Sequence, residues 1–496
     1  MLAQKLILSY SSRIFVQFFQ IVASVIVARI AGPGVLGTVA FGLSYVTMFT
    51  FFADMGFGTA HMKKLSEGKD EARCIGTYAR IKIGLVTFYV FCVVGFFLAQ
   101  KNIFHVSFES KDHITVIFVL LVSTTLAQLF TIPKTTFSAY AQKAKSDIPD
   151  LIQTLLYQFL RIIIVLFGFR AVALAFGNIA SMILVLPVFI YLFKDYKIGP
   201  FDKNLAKEYL KIALPVMLTA ITSKLYSTID KVLLQFFTNS EQVGYYTAGF
   251  RMGGFVLLIA NSIGVLFFPI FSKAASQKDY ASIKRHIDKF ERFSFIYIMP
   301  FLILVTLFSR DIVYLILGKE YISSVPIMIA INIAMFLRVI NTPYSSVIVG
   351  LGYFNKGLQI GIYHFVFYIV ILFVLIDPSF LNMSGLGAAI AILLANLFLL
   401  TLYRIYARKY LPILSNKIAI LYMIYGTVNY ILFFIILNKT MLFQGYYKIL
   451  FIFVYIFVTY FSMSLFKLVN KGDWKYLKTL VDYQKMNKYI KGEIFK

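Results

Sequence analysis

The chain has 496 residues, of which 60% are hydrophobic and 14% charged, and a formal net charge of +26. Soluble domains carry about 25% charged residues, so this composition excludes a water-soluble fold. Its two cysteines, Cys74 and Cys92, are too few for a disulfide framework or a cysteine-only zinc site.

Fourteen apolar runs read as helices, over residues 10–31, 35–60, 81–100, 114–138, 148–169, 171–193, 212–237, 243–271, 293–317, 322–349, 357–376, 385–407, 417–437 and 446–467. One crossing takes roughly 20 residues. No β-type alternation points to a barrel. The first run passes through a Gly-Pro-Gly turn at 32–34 into the second, so it reads as a retained span rather than a cleaved signal. With the N-terminus inside, the inner segments hold 34 basic residues and the outer segments 8, which predicts both termini cytoplasmic. Loop charge and attraction to anionic lipid then account for the net charge, and no nucleic acid is required. Residues 199–211 and the tail around Trp474 read as interfacial. Leu36–Gly42 and Val243–Gly249 form a faint parallel repeat, in which Gly37 matches Gly244 and Gly42 matches Gly249.

Charged groups within a span are expensive and mark a partner or a pathway. Six bases fall inside the predicted spans, namely Lys134, Arg161, Lys224, Lys231, Arg251 and Arg338, against two acids, Asp54 and Asp230. Lys134 is close enough to a span end to snorkel. Asp54 reads as a cap or a partner for a base. Lys224 and Lys231, seven residues apart, are expected on one face of the seventh span. Asp230 pairing with a lysine of another helix is the competing reading. Polar stripes recur: Arg13, Gln17, Gln20 and Ser24; Gln158 with Arg161; Arg338 with Asn341 and Ser345; and Arg251 with the deeper Asn261. Any one amide is ordinary helix–helix glue. Stripes that each carry a base predict a hydrated, cationic cavity suited to an anionic, polar-headed substrate. Phosphate-loop and dinucleotide motifs are absent, and the five histidines show no metal spacing, so neither an enzyme nor a resident cofactor is expected. The coupling ion or proton stays open.

The motifs "VARIAGPGVLGTVAF" (27–41), "FFADMGFG" (51–58), "LKIALPVMLTAI" (210–221), "STIDKVLLQFF" and "VGYYTAGFRM" carry a resemblance over most of the first 350 residues. The chain resembles the Wzx-type O-antigen and capsule repeat-unit flippases, in the polysaccharide biosynthesis family of the multidrug/oligosaccharidyl-lipid/polysaccharide exporter superfamily. The resemblance implies an all-α polytopic protein of about 14 transmembrane helices in the bacterial cytoplasmic membrane. An N-lobe (1–197) and a C-lobe (198–408), six helices each, would form a V, followed by two added helices (409–467) and a basic cytoplasmic tail (468–496). It also implies translocation of an undecaprenyl-pyrophosphate-linked oligosaccharide by alternating access. Partners would be membrane lipids, a polysaccharide polymerase and a chain-length regulator. The matching cationic positions are Arg13, Arg161, Lys224, Lys231, Arg251 and Arg338. The alternatives are a lipid II flippase, a cation-coupled drug exporter, and a polytopic glycosyltransferase or polymerase. Few intramembrane carboxylates weigh against the exporter, and short outer loops weigh against the enzymes.

Overall fold

The structure is a computed structural model that describes residues 2–103, 108–254, 279–410, 417–439 and 447–469, with isolated positions at 274, 277 and 472. The tail from 473 onward, including Trp474, and the deeper part of the 243–271 run, including Asn261, lie outside the described residues. So do the side chains of Arg13 and Gln17.

Among the described residues every regular element is helical, and twelve stretches are long and apolar enough to cross a membrane. The chain is a multi-pass membrane protein. Of the fourteen expected runs, the first two are joined in α1 (Leu2–Met48), whose helical geometry breaks at Gly32, φ 77° and ψ 171°. Glycine reaches that conformation without steric cost, and Pro33 cannot donate to the preceding turn. The 243–271 run is described only through its first turns, as α9.

The helices cluster into two compact units, 1–247 with 376–379, and 248–375 with 380–496. The first holds α1, α2 (Phe57–Ser66), α3 (Glu71–Asn102), α4 (Lys111–Ala139), α5 (Lys143–Leu166), α6 (Ala171–Phe193), α7 (Lys203–Tyr226), α8 (Ile229–Phe237) and the start of α9 (Ser240–Gly253). The second holds the rest of α9, then α10 (Tyr280–Phe293), α11 (Met299–Leu307), α12 (Ser309–Leu317), α13 (Val325–Gly350), α14 (Phe354–Ile376), α15 (Ser384–Tyr410), α16 (Lys417–Lys439) and α17 (Tyr447–Leu465).

Local sequence sets several boundaries. Asp70 caps α3 by accepting from the Arg73 amide at 2.8 Å, and Asp202 caps α7 through the Asn204 and Leu205 amides. The segment expected to lie along the interface from 199 to 211 does something else. Gly199 docks on α3, its amide 2.8 Å from the Ala72 carbonyl and its own carbonyl receiving Arg80 at 2.8 Å. From Lys203 the chain is already the opening of α7. A second revision follows at 226–229, where the expected seventh span is broken. Ser227 and Thr228 both turn their hydroxyls onto the Lys224 carbonyl at 2.8 Å, occupying an acceptor that the next helical amides would use.

The glycine repeat has a packing basis. A Cβ on Gly37 would lie 1.7 Å from the Ser240 carbonyl oxygen, and one on Gly244 would lie 2.0 Å from that of Pro33, so α1 and α9 touch backbone to backbone. Gly42 meets Val116 of α4 at 2.7 Å, and in the other unit Gly249 meets Ile327 of α13 at 2.7 Å. The second matched pair therefore performs the same job in both copies. Small residues permit such approach where no hydrophobic effect drives helices together.

At the end of the first unit where α2 meets α3, α4 and α7, Phe57, Ala60, Cys74, Tyr78 and Tyr209 form a buried cluster. His61 stacks on Tyr78 with ring centroids 4.3 Å apart and bonds the Tyr209 hydroxyl at 3.0 Å and Thr136 at 3.1 Å. Burial holds the His61 imidazole down to about 3, so it is neutral. Lys64 bridges to Glu208 of α7 at 2.9 Å, and that hydrogen bond pushes its ammonium above the usual lysine value.

Candidate functional site

The expected cationic residues divide by environment. Arg161 lies on α5, buried, with 9% exposure. Its guanidinium donates to Gln158 Oε1 at 2.9 Å and sits 5.4 Å from the centre of the Tyr157 ring. One helical turn thus supplies the base, an amide and an aromatic face, and no carboxylate lies within ion-pair range among the described residues. Lys224 is half-buried in the last turn of α7 and likewise has no carboxylate partner there. The break at 227–228 separates it from Lys231, so the two lysines do not share a continuous helical face, contrary to the spacing argument.

Lys231 is committed locally. Its Nζ lies 3.1 Å from the carboxylate of its own neighbour Asp230, and Asp230 also accepts from the buried Tyr246 hydroxyl at 2.5 Å. The lysine lies over the Tyr246 ring, 5.6 Å from its centre. The partner of Asp230 therefore comes from the same helix, α8, not from another. Lys134 pairs with Asp150. Gln20 is exposed on α1.

In the second unit Arg251, in the last turn of α9, and Arg338, midway along α13, are both exposed. A guanidinium exposed in mid-span requires water or a headgroup, because hydrocarbon does not solvate it. Asn341, one turn from Arg338, is buried and donates to the Asn396 carbonyl at 3.4 Å.

Three charged groups within the helices, Lys82, Glu291 and Arg404, escape the sequence reading. Lys82, at the start of the third apolar run, is one of the 34 bases that the loop count places inside, yet its side chain is 0% exposed on α3, 3.3 Å from Asp54 and 3.0 Å from Gln128 Oε1. Arg404, near the end of the twelfth run, is another of those 34. It lies 2.6 Å from buried Glu291 of α10, which further accepts from the Tyr344 hydroxyl at 2.6 Å. The intramembrane tally of six bases and two acids therefore omitted Lys82, Arg404 and Glu291. Their only sequence signal was position: each is near the end of an apolar run, where snorkelling and pairing look alike. Asp54, read as a cap or a base's partner, is the partner of Lys82.

Among the described residues the first unit holds bases without acids (Arg161, Lys224) and neutralised pairs (Lys82–Asp54, Lys231–Asp230), and the second holds Arg338 without an acid and the pair Arg404–Glu291. Among the described residues no group of His, Cys, Asp and Glu has the makings of a metal site. The unpaired bases can engage an anionic group, and the pairs keep other charges tolerable inside the helices.

The chain is 24% identical over 153 residues to the teichuronic acid biosynthesis protein TuaB of Bacillus subtilis (strain 168). That alignment spans about a third of each protein, 31% of either chain. The fold matches the lipid II flippase MurJ in an inward closed conformation, with TM-score 0.70, 15% identity, and 93% of this chain and 98% of that one covered. It also matches an inward-facing multidrug resistance MATE transporter of the MOP superfamily, with TM-score 0.65, 13% identity, and 81% and 96% covered. The family model described as polysaccharide biosynthesis protein covers residues 26–326, more than half of the sequence. With that match and a MOP-superfamily fold, the chain belongs to the polysaccharide biosynthesis protein family.

Proposed function

We propose that this protein is a flippase that moves an undecaprenyl-pyrophosphate-linked oligosaccharide repeat unit from the cytoplasmic to the outer leaflet by alternating access, for surface polysaccharide. The observation that carries the reading is Arg161, a buried guanidinium held by Gln158 and Tyr157 with no carboxylate in range. A buried charge without an opposite charge costs several kcal/mol, roughly 3–5 when a pair is broken, so such a group is kept where an anion arrives to offset it. A pyrophosphate supplies that anion, and the amides and aromatic rings suit the sugars. Lys224, Arg251 and Arg338 are the other bases assigned to the phosphate path. Lys231 has a weaker claim, because Asp230 already neutralises it. The family membership supports a polysaccharide pathway. The lipid-linked substrate, the inner-membrane location with both termini cytoplasmic, and polymerase and chain-length partners belong to the proposal. A flip of this kind needs no bond-making residue and no resident cofactor.

Replacement of Arg161 by Ala, and of Lys224 and Arg338 together by Ala, is expected to abolish surface polysaccharide while the protein stays in the membrane. Quantitative glycan staining and membrane immunoblotting read the two outcomes. Full polysaccharide in both variants would sink the assignment. A cation-coupled drug exporter would want free carboxylates in its spans. Among the described residues within the helices, the buried carboxylates of Asp230 and Glu291 are each engaged by a base and a tyrosine.

A further inference from the structure

The connections between the first and second, third and fourth, fifth and sixth, and seventh and eighth expected spans must all emerge at one end of the first unit. That is the end away from the α2–α7 cluster. There they line a half-open cavity of about 540 Å³, within the ~300–1,000 Å³ range of small-ligand sites. Every lining residue belongs to the first unit.

The lining is built around Glu109. Three donors, the Ser240 amide at 2.8 Å, the Ser240 hydroxyl at 2.5 Å and Gln235 Nε2 at 2.8 Å, all address its Oε2. Burial acts to raise the Glu109 carboxyl, but these hydrogen bonds outweigh it and hold the group below the usual carboxylate value. His113 closes the knot from α4, with its ring nitrogens on Ser110 at 2.9 Å and Ser240 at 2.8 Å. Glu109 is thus fixed in place and ionised, while among the described residues no hydrogen bond reaches its Oε1 and the side chain stays 45% exposed. Around it stand Asp112 and Arg170, both exposed and without an ion-pair partner among the described residues, and Phe169, 60% exposed and stacked on no other ring.

We propose that this cavity is a saccharide-binding site, which takes the neutral, hydroxyl-rich part of a glycan and is distinct from the basic groups assigned to phosphate. Vicinal hydroxyls donate to the Glu109 and Asp112 carboxylates in charge-assisted hydrogen bonds, and a hydroxyl oxygen accepts from Arg170. The C–H face of the sugar ring lies on Phe169. Two carboxylates against one guanidinium make the site unfavourable for phosphate or uronate. The polar acceptors exclude a prenyl tail, whose hydrocarbon would leave them unsatisfied. Only the source of the glycan rests on the flippase reading.

Saturation-transfer-difference NMR on the full chain in lipid nanodiscs tests the site, with glucose, N-acetylglucosamine, glucuronate and inorganic phosphate as probes. Transfer to at least one of the two neutral sugars is expected, with little to glucuronate and none to phosphate in competition. Phe169→Ala and Asp112→Asn, both at exposed positions that leave the Glu109 knot intact, should each weaken the neutral-sugar signal by about tenfold in apparent affinity. Absence of transfer from the unaltered protein, or transfer unchanged in both variants, overturns the proposal. So does an effect confined to glucuronate or phosphate. The measurement requires no transport, so its failure is distinguishable from a failure of the Arg161 variant to alter polysaccharide.

Discussion

Lys82 and Asp54 form an asymmetric pair, because the lysine is 0% exposed and the aspartate 41%. Losing Asp54 strands a buried ammonium with one amide for company. Losing Lys82 strands a carboxylate that water already reaches. Asp54→Asn is therefore expected to destabilise by about 3 kcal/mol and Lys82→Met by clearly less, and the double variant should resemble Lys82→Met. Thermal unfolding in detergent measures all three, and equal losses for the two single variants would contradict the asymmetry. His61 gives a pH dependence. Its folded value of about 3 lies below the unfolded value of about 6.5, so its contribution is fully present above pH ~6.5 and is lost as pH falls toward 3. Between pH 6.5 and 5 the loss is about 2 kcal/mol, and in His61→Gln that part of the pH slope should vanish. Neither residue stood out in the sequence. Lys82 follows Arg73 and Arg80, and His61 precedes Lys63 and Lys64, so both read as part of a basic inner segment, and their burial depends on helices far along the chain.

Among the helices, the close crossing of α1 and α9 carries the sharpest prediction. Gly37→Ala puts a methyl 1.7 Å from a backbone oxygen, which cannot rotate away. Overpacking costs about 1–3 kcal/mol where side chains yield, and more is expected where backbone must move. Gly84→Ala in α3 is the control: nothing lies within 4 Å, and a gain of up to about 1 kcal/mol in helix propensity follows. Comparable melting temperatures for the two variants would refute the crossing. The matched glycines were visible as a repeat, but their purpose was not. A spacing of 207 residues says nothing of which backbones meet, whereas the structure sets Gly37 on Gly244 and gives Gly42 and Gly249 equivalent valine and isoleucine contacts. The break of the seventh span was equally hidden, since Ser and Thr occur within helices and only their bonds to the Lys224 carbonyl mark the interruption.

For the molecule as a whole, the predicted orientation is open to a direct check. Lys69 and Phe169 are both exposed, one in the α2–α3 connection and the other in the α5–α6 connection. With Cys74 and Cys92 replaced, a single cysteine at 169 should react with an impermeant maleimide in intact cells, and one at 69 only after permeabilisation. The reverse pattern would invert the proposed orientation. The aromatic residues, 17% of the chain, pack as T-shaped and stacked pairs inside each unit, for example Phe295 on Tyr422 at 5.2 Å, or remain exposed on outward helix faces.

Membrane insertion, helical class and family were all legible in the amino-acid order, because hydrophobic length and loop charge are local properties that the bilayer reads one segment at a time. The charged site was legible in part. Arg161 with Gln158 follows from one helical turn, whereas the pairing of Asp230 with a lysine stands there only as the competing reading, and with a lysine of another helix. Asp230 finds its lysine in its own neighbour Lys231, but which bases are left without an acid, and that Lys82 and Glu291 are buried with Arg404 against Glu291, depend on the packing of helices far apart in the chain. The cost of a buried charge is set by whatever folds against it, and neighbours in sequence do not specify that.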